Sequence, residues 1–327
     1  MFSRLGDKLY QYAEQQPLWT NVYGLARTLL ASSLALLLLF NPTKTFFRPG
    51  AGLPEFPLCD RNLSVFCMVP NDFFYFELIR WIFIILLLGI ASGWRPRITG
   101  ILHFYITYSF YSTALTLDGG EQVNVTLTLL LIPLTLTDPR KWHWQRSKKP
   151  DISSHRYMFA FITGLCAYIA IRFQVAIIYL NAAYAKVPGE FWKDGTAVYY
   201  FFQDTLLGIS DTMGKILMPL LETPLVVIPT WGTVILEFLL FAALFTPAKY
   251  WKWFFIPGLI FHFMISAVVG LHNFVIVMFA ALILFLRPLQ QEFSIQAVLN
   301  FLMLPPRIYH RLRKNTWKGG ELEKRSG

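Results

Sequence analysis

Eight long apolar runs, bracketed at 22–40, 73–93, 98–117, 121–137, 155–185, 223–246, 250–271 and 272–287, decide most of what this chain can become. The hydrocarbon core of a bilayer takes about 20 apolar residues per helix, and the runs are near that size. The predicted fold is therefore all-α: a polytopic transmembrane helical bundle of about eight spans. Composition agrees, since only 15% of residues are charged against roughly 25% in soluble domains. The third and fourth runs are separated by the turn Asp118-Gly119-Gly120-Glu121, and the last two meet near Gly270. Each pair is expected to form a tight helical hairpin.

Orientation follows from the basic residues, which are retained on the cytoplasmic side. Arg4 and Lys8 precede the first run, Arg95 and Arg97 join the second and third, and Arg140, Lys141, Arg146, Lys148, Lys149 and Arg156 join the fourth and fifth. Lys249 and Lys252 join the sixth and seventh, and the tail carries Arg307, Arg311, Arg313, Lys314, Lys318, Lys324 and Arg325. All fall on one side of an eight-span chain, which puts both termini in the cytoplasm. The 41–72 loop on the other side, with Lys44, Arg48 and Arg61, weakens this pattern without reversing it. The net charge of +10 sits in short clusters between apolar runs, so anionic lipids are the expected counterion and nucleic acid is not. Three parts result: an interfacial amphipathic helix over 1–21, with Leu5, Leu9, Tyr12 and Leu18 against Arg4, Lys8 and Glu14, a transmembrane domain over 22–287, and a basic cytoplasmic tail over 288–327.

Cys59 and Cys67 lie in the outer 41–72 loop, where an oxidising exterior lets them pair. A structural disulfide is the first reading and a redox-active pair the second, because the intervening residues lack the helix-start geometry that activates a thiol. Cys166, inside the fifth run, reads as a small apolar filler. No Walker loop, GxSxG, HExxH or Rossmann fingerprint occurs, and no Cys/His cluster has metal-ligand spacing, so no metal is expected.

Ionisable groups inside spans cost about 2.5 to 3.5 kcal/mol each on insertion scales, so each needs a partner or a task. They are Arg27 in the first run, Glu77 and Arg80 in the second, Asp118 and Glu121 between the third and fourth, Arg172 in the fifth, Glu237 in the sixth and His262 in the seventh. Glu77 and Arg80, three apart, share a helical face and can pair. Arg172, Tyr179 and Lys186 recur at sevens and fall within about 40° on one face of a helix, which points into something polar. Lys186 lies about 21 Å beyond Arg172 along the axis, at the outer mouth. Two readings stay open for it: a general base whose ammonium is disfavoured by partial dehydration, or a helix-end lysine reaching for headgroups. The aromatic stretch Thr196 to Phe202 reads either as a belt resting on lipid or as a cavity wall.

The runs Trp94-Arg95-Pro96-Arg97-Ile98-Thr99-Gly100, Asp118-Gly119-Gly120-Glu121-Gln122, Ile178-Tyr179-Leu180-Asn181-Ala182-Ala183 and Gly195-Thr196-Ala197-Val198-Tyr199-Tyr200-Phe201-Phe202 resemble the sporulation-delaying protein B family over most of the chain, the paired cysteines included. Members act with a small companion, sporulation-delaying protein A, in maturing a secreted antimicrobial peptide, which implies a multi-pass protein of the bacterial plasma membrane. That family is in turn similar to the HTTM domain of vitamin K-dependent gamma-carboxylase. The stretch from Tyr179 to Gly195 resembles the carboxylase's helix-end lysine with its following acidic, aromatic and glycine residues. Phe261-His262 resembles its Phe-His, and Arg27 its first-helix arginine. Where the carboxylase domain carries Asn-His, this chain reads Gly120-Glu121-Gln122.

The resemblance implies Lys186 as base with His262 and Glu121 as catalytic neighbours. Arg27, Arg172 and Tyr179 would hold a cofactor, a quinol such as menaquinol or vitamin K hydroquinone. The implied partners are an A-type companion and the secreted peptide precursor. Two other readings of the chain are a non-catalytic scaffold for precursor and protease, and a transporter or immunity protein.

Overall fold

The computed structural model describes residues 10–11, 13–14, 17–49, 56–59, 62–115, 117–146, 151–204 and 208–293. Most of the expected interfacial helix, and the basic tail from 294 onward, lie outside the described residues. The chain divides at Gln290, and the fold is that of the part before it.

Local chemistry sets the helix ends. α1 (Asn21–Phe40) stops at Asn41-Pro42, where the backbone turns extended. α2 (Phe73–Ala91) starts on Asp72, whose carboxylate accepts the Phe74 N–H at 2.8 Å. α3 (Pro96–Tyr111) has proline in its first turn, where the missing N–H costs nothing. α4 (Gly119–Thr137) opens with a capping box in which Asp118 and Glu121 satisfy each other's orphan backbone donors. α5 (His155–Lys186) begins on the Ser154 cap and ends before Pro188. After the amphipathic helix α6 (Asp211–Leu221), α7 (Val227–Ala242) and α8 (Trp251–Val269) lead to Gly270 at φ 84, which turns the chain into α9 (His272–Leu286). No strand occurs among the described residues; an isolated bridge joins Trp94 and Trp142.

Among the described residues, five segments are long and apolar enough to cross a membrane: α1, α2, α5, 224–245 and 248–269. Their backbone polar groups are satisfied within each helix, the condition for residence in hydrocarbon, and the chain is a membrane-embedded helical protein. The expected eight spans also include α3, α4 and α9, whose 16, 19 and 15 residues fall outside those five. α9 is apolar all round, and ten of its residues are buried. It packs against α1, α4, α5 and α8, as a helix without a polar face must. By contrast, α7 and α8 present Ile228, Ile235, Ile256 and Phe263 outward, a face suited to lipid. Cys166 is a free, exposed cysteine on α5.

The 41–72 loop is anchored by aromatic packing of Phe47 with Phe66 and Phe76, ring centroids 4.7 and 5.2 Å apart, and by a Cys59–Cys67 disulfide. Glu77 and Arg80 pair at 2.7 Å; Glu77 also accepts from Thr43, and Arg80 donates to the Leu38 carbonyl at 2.6 Å.

At the opposite end of α1, a buried polar cluster ties the bundle together. Asp138 accepts from the Tyr23 hydroxyl and from Arg140 Nε and Nη2, the latter two at 2.9 and 2.8 Å. Arg27 donates through Nη2 to Thr99 Oγ1 at 2.5 Å and through Nη1 toward His143 Nδ1 at 3.5 Å. A lone pair on Nδ1 requires neutral His143 with its proton on Nε2, which meets Thr28 Oγ1 at 3.2 Å. Gly93, at φ 92, lies against the His143 ring so closely that a Cβ there would collide with it.

Burial, with the Arg27 and Arg140 charges, pushes His143 down to about 2 from its ordinary 6.5. The native state therefore binds fewer protons than the unfolded one. The stabilisation is complete above 6.5 and is lost as pH falls from there toward 2, at up to about 1.4 kcal/mol per pH unit. The purified protein is expected to melt lower at pH 5 than at pH 7.5, with the difference shrinking in His143→Asn. An equal pH dependence in both proteins would reject His143 as its source.

Candidate functional site

Arg172, Tyr179 and Lys186 share one face of α5: Arg172 meets α8 and α9, Tyr179 meets α8, and Lys186 meets α7. Lys186 is in the last turn of α5, and Pro188 and Gly189 end the helix there. Its ammonium donates to both carboxylate oxygens of Glu237 on α7 at 2.8 Å and to its own helix's Ala182 carbonyl at 2.9 Å. The Lys186 side chain is 22% exposed and that of Glu237 is 7%, so the pair opens to the surface through the lysine. The Trp192 ring, in the short helix Glu190–Lys193, lies 5.5 Å from Nζ, and Trp231 of α7 donates to the Trp192 carbonyl at 2.9 Å.

Two turns before Lys186, the buried Tyr179 hydroxyl shares a 3.0 Å hydrogen bond with His262 Nε2 on α8. The imidazole sits among the Phe261 and Phe274 rings at 5.1 and 5.7 Å, and its buried Nδ1 has no hydrogen-bond partner among the described residues. Tyr179 therefore orients an imidazole that keeps one nitrogen for another group.

Glu121 adjoins this region through α9. One carboxylate oxygen accepts the Asp118 N–H at 2.9 Å, and the other accepts from Asn273 Nδ2; Ser33 of α1 donates to Asn273 Oδ1 at 2.6 Å. Phe274, next in sequence, packs on His262 and against Gly120, where a Cβ would come within 2.9 Å of the Phe274 Cα. Only glycine lets α4 approach α9 so closely, and this holds Glu121 beside the imidazole's aromatic wall.

The other two expected cofactor residues are elsewhere. Arg172 donates to the Phe285 carbonyl at 3.1 Å and stacks on Trp251 at 4.0 Å, about 21 Å along α5 from Lys186. Arg27 belongs to the Thr99 and His143 cluster in the first third of α1. Lys186 with Glu237 and Tyr179 with His262 thus form two pairs about two turns apart on α5, Glu121 lies behind Phe274, and Arg27 and Arg172 are elsewhere. Glu237 completes the site. The sequence marked it as a charge inside a span, which flagged a partner without saying whose. Among the described residues, no group of three or more His, Cys, Asp or Glu side chains gathers to hold a metal ion.

The arrangement sets an amine held by a carboxylate at the bundle's edge, two turns of α5 from a buried imidazole oriented by Tyr179.

The chain is 42% identical over 289 residues to the uncharacterized protein YitO of Bacillus subtilis (strain 168), covering 88% of this chain and 92% of YitO. It is 35% identical over 292 residues to the sporulation-delaying protein SdpB of the same organism, covering 88% of each. No family model matches the chain. No solved structure matches it.

Proposed function

This chain belongs to the family of the sporulation-delaying protein SdpB, and on that premise we propose that it matures a secreted antimicrobial peptide of the sporulation-delaying type. The work is done in the bacterial plasma membrane, with a small A-type companion and the peptide precursor as partners. In this reading α3, α4 and α9 also cross the bilayer, giving eight spans with both termini cytoplasmic, and the Lys186 end of α5 faces outward.

The observation that carries the reading is the Lys186–Glu237 pair beside the Tyr179–His262 hydrogen bond. Of these four side chains, that of Lys186 is the most exposed and the one a substrate at the surface meets first. Lys186 acts as the base in its neutral amine form, and Glu237 holds the ammonium that results when it takes the proton. His262, aligned by Tyr179, presents Nδ1 to a bound group. Trp192 shields the lysine and offers a flat apolar wall.

These residues fit a quinol: the unpartnered, buried Nδ1 suits an oxygen substituent, and the rings of Trp192 and Phe274 suit a planar ring. A quinol, when bound, would supply an acidic hydroxyl and reducing equivalents, as in the carboxylase-like HTTM chemistry the motifs resemble. Lys186, His262 and Tyr179 would hold it, and Arg27 and Arg172 are too far away to take part.

A second reading is favoured by one feature: the Lys186 ammonium already spends its donors on Glu237 and Ala182, as a lysine that only ties α5 to α7 would. In that case the chain is a scaffold for the precursor and its protease.

The test is reconstitution in cells carrying the precursor and companion genes. Mass spectrometry is expected to find the mature peptide only when this chain is also expressed, with the precursor accumulating otherwise. Equal amounts of mature peptide with and without the chain would refute the assignment.

A further inference from the structure

The loops at the far end of the bundle, 93–97 between α2 and α3 and 138–146 after α4, carry a second feature unrelated to the Lys186 site. Backbone bonds clamp them together: Arg95 N–H donates to the Lys141 carbonyl at 2.7 Å and His143 N–H to the Gly93 carbonyl at 3.0 Å. The Trp94–Trp142 bridge lies between these bonds, and Trp144 Nε1 adds a bond to the Ser92 carbonyl at 3.0 Å. Arg95 itself is held at φ 37, a left-handed conformation that a non-glycine residue adopts only when its surroundings enforce it.

The clamped loops form two adjoining shallow clefts. One, of about 440 Å³, is lined by Pro139, Arg140, Lys141, Gln145 and Arg146. The other, of about 280 Å³, is lined by Arg95, Arg97, Ile98, Pro139, Arg140 and Lys141. Four exposed basic side chains, Arg95, Arg97, Lys141 and Arg146, thus share one surface above the buried Arg140, and among the described residues no carboxylate lines either cleft. Arg140 is neutralised by Asp138 beneath it. Arg95 lies beside the Trp94 ring at 5.9 Å. Arg97, Lys141 and Arg146 are exposed and stand in no ion pair among the described residues.

We infer that these clefts bind the phosphate of an anionic phospholipid headgroup. Clustered cations without acidic partners select an anion, and guanidinium forks match phosphate oxygens. The position selects a lipid as its source. The clefts adjoin the ends of the apolar helices α2 and α4, next to exposed Ile98 and Trp94, a pairing typical of the interface between headgroup and acyl chain. A basic pocket between helix ends, with an apolar rim, recognises phosphodiester headgroups in this way. The binding ties the α2–α3 and α4–α5 connections to the membrane surface.

The test titrates the purified full chain in detergent with phosphatidylglycerol or with phosphatidylcholine of the same acyl chains, counting bound lipid by native mass spectrometry. Phosphatidylglycerol is expected to be retained about tenfold more strongly. The triple variant Arg97→Gln, Lys141→Gln, Arg146→Gln, which leaves the Arg140–Asp138 pair intact, is expected to retain the two lipids equally. Should the triple variant melt lower than wild type without lipid, the three single variants decide, each expected to lose about two- to threefold of the preference.

Equal retention by wild type, or a preference that survives the substitutions, overturns the inference. Inorganic phosphate separates the two phosphate sources. If it raises the melting temperature as much as phosphatidylglycerol does, the clefts take free phosphate and the lipid assignment falls. Displacement of phosphatidylglycerol by a poly-glutamate peptide would overturn it in favour of an acidic polypeptide.

Discussion

Replacing Lys186 by alanine is expected to abolish peptide maturation, lowering the mature product at least about a hundredfold, the scale on which a positioned general base acts. The substitution also strands Glu237, whose side chain is 7% exposed, and breaking one partner of a buried pair costs about 3 kcal/mol or more. A lower protein level is therefore expected too, and by itself says nothing of catalysis. Glu237→Gln in the same chain removes the stranded charge. Lys186→Ala with Glu237→Gln is expected to restore the amount of protein in the membrane and leave maturation absent. If the double variant instead recovers the mature peptide per molecule, Lys186 only ties α5 to α7, and the scaffold reading replaces the catalytic one. Lys186→Arg keeps the ion pair and a charge that is not given up near neutral pH. It is expected to accumulate normally without product.

Asp138→Ala is expected to give the largest loss of stability. Asp138 is fully buried and accepts from Tyr23, from two guanidinium nitrogens of Arg140 and from the Arg140 backbone N–H. Alanine leaves the buried Arg140 guanidinium unpaired beside Arg27 and removes the acceptor of Tyr23, a change worth about 3 to 5 kcal/mol. Against a net stability of about 5 to 15 kcal/mol, this is a large share. The melting temperature of the purified protein is expected to drop by on the order of 10 °C, and its level in the membrane to fall with it. Asp138→Asn, which keeps an acceptor but not the charge, should lie between. Because this cluster is remote from Lys186, molecules that do fold should mature peptide at the normal rate. A melting temperature within a degree or two of wild type would show that the cluster does not hold the bundle together.

Much of the architecture was legible in the sequence because its signals are local. Apolar length marked the long helices, though not α6, and Asp118-Gly119-Gly120-Glu121 marked a turn. The seven-residue spacing of Arg172, Tyr179 and Lys186 correctly put all three on one face of α5, since helix periodicity needs no knowledge of the neighbours. The helix α6 shows the limit: its eleven residues are too few to register as a span, and no apolar run marked it.

What the sequence by itself determined is a membrane-embedded helical chain, the approximate extent of its long helices, and one polar stripe on α5. Only the tertiary structure decided what that stripe meets. Lys186 finds Glu237 51 residues away and Tyr179 finds His262 83 residues away. Arg27 turns from the expected cofactor site to Thr99 and His143, and Glu121 is bound into its helix cap and Asn273. The physical reason is that hydropathy sets the length and depth of a helix from its own residues. Which helices face each other depends on close approaches such as Gly120 against Phe274, and on buried charges that must each find a partner. Those are properties of pairs of segments, and no single segment contains them.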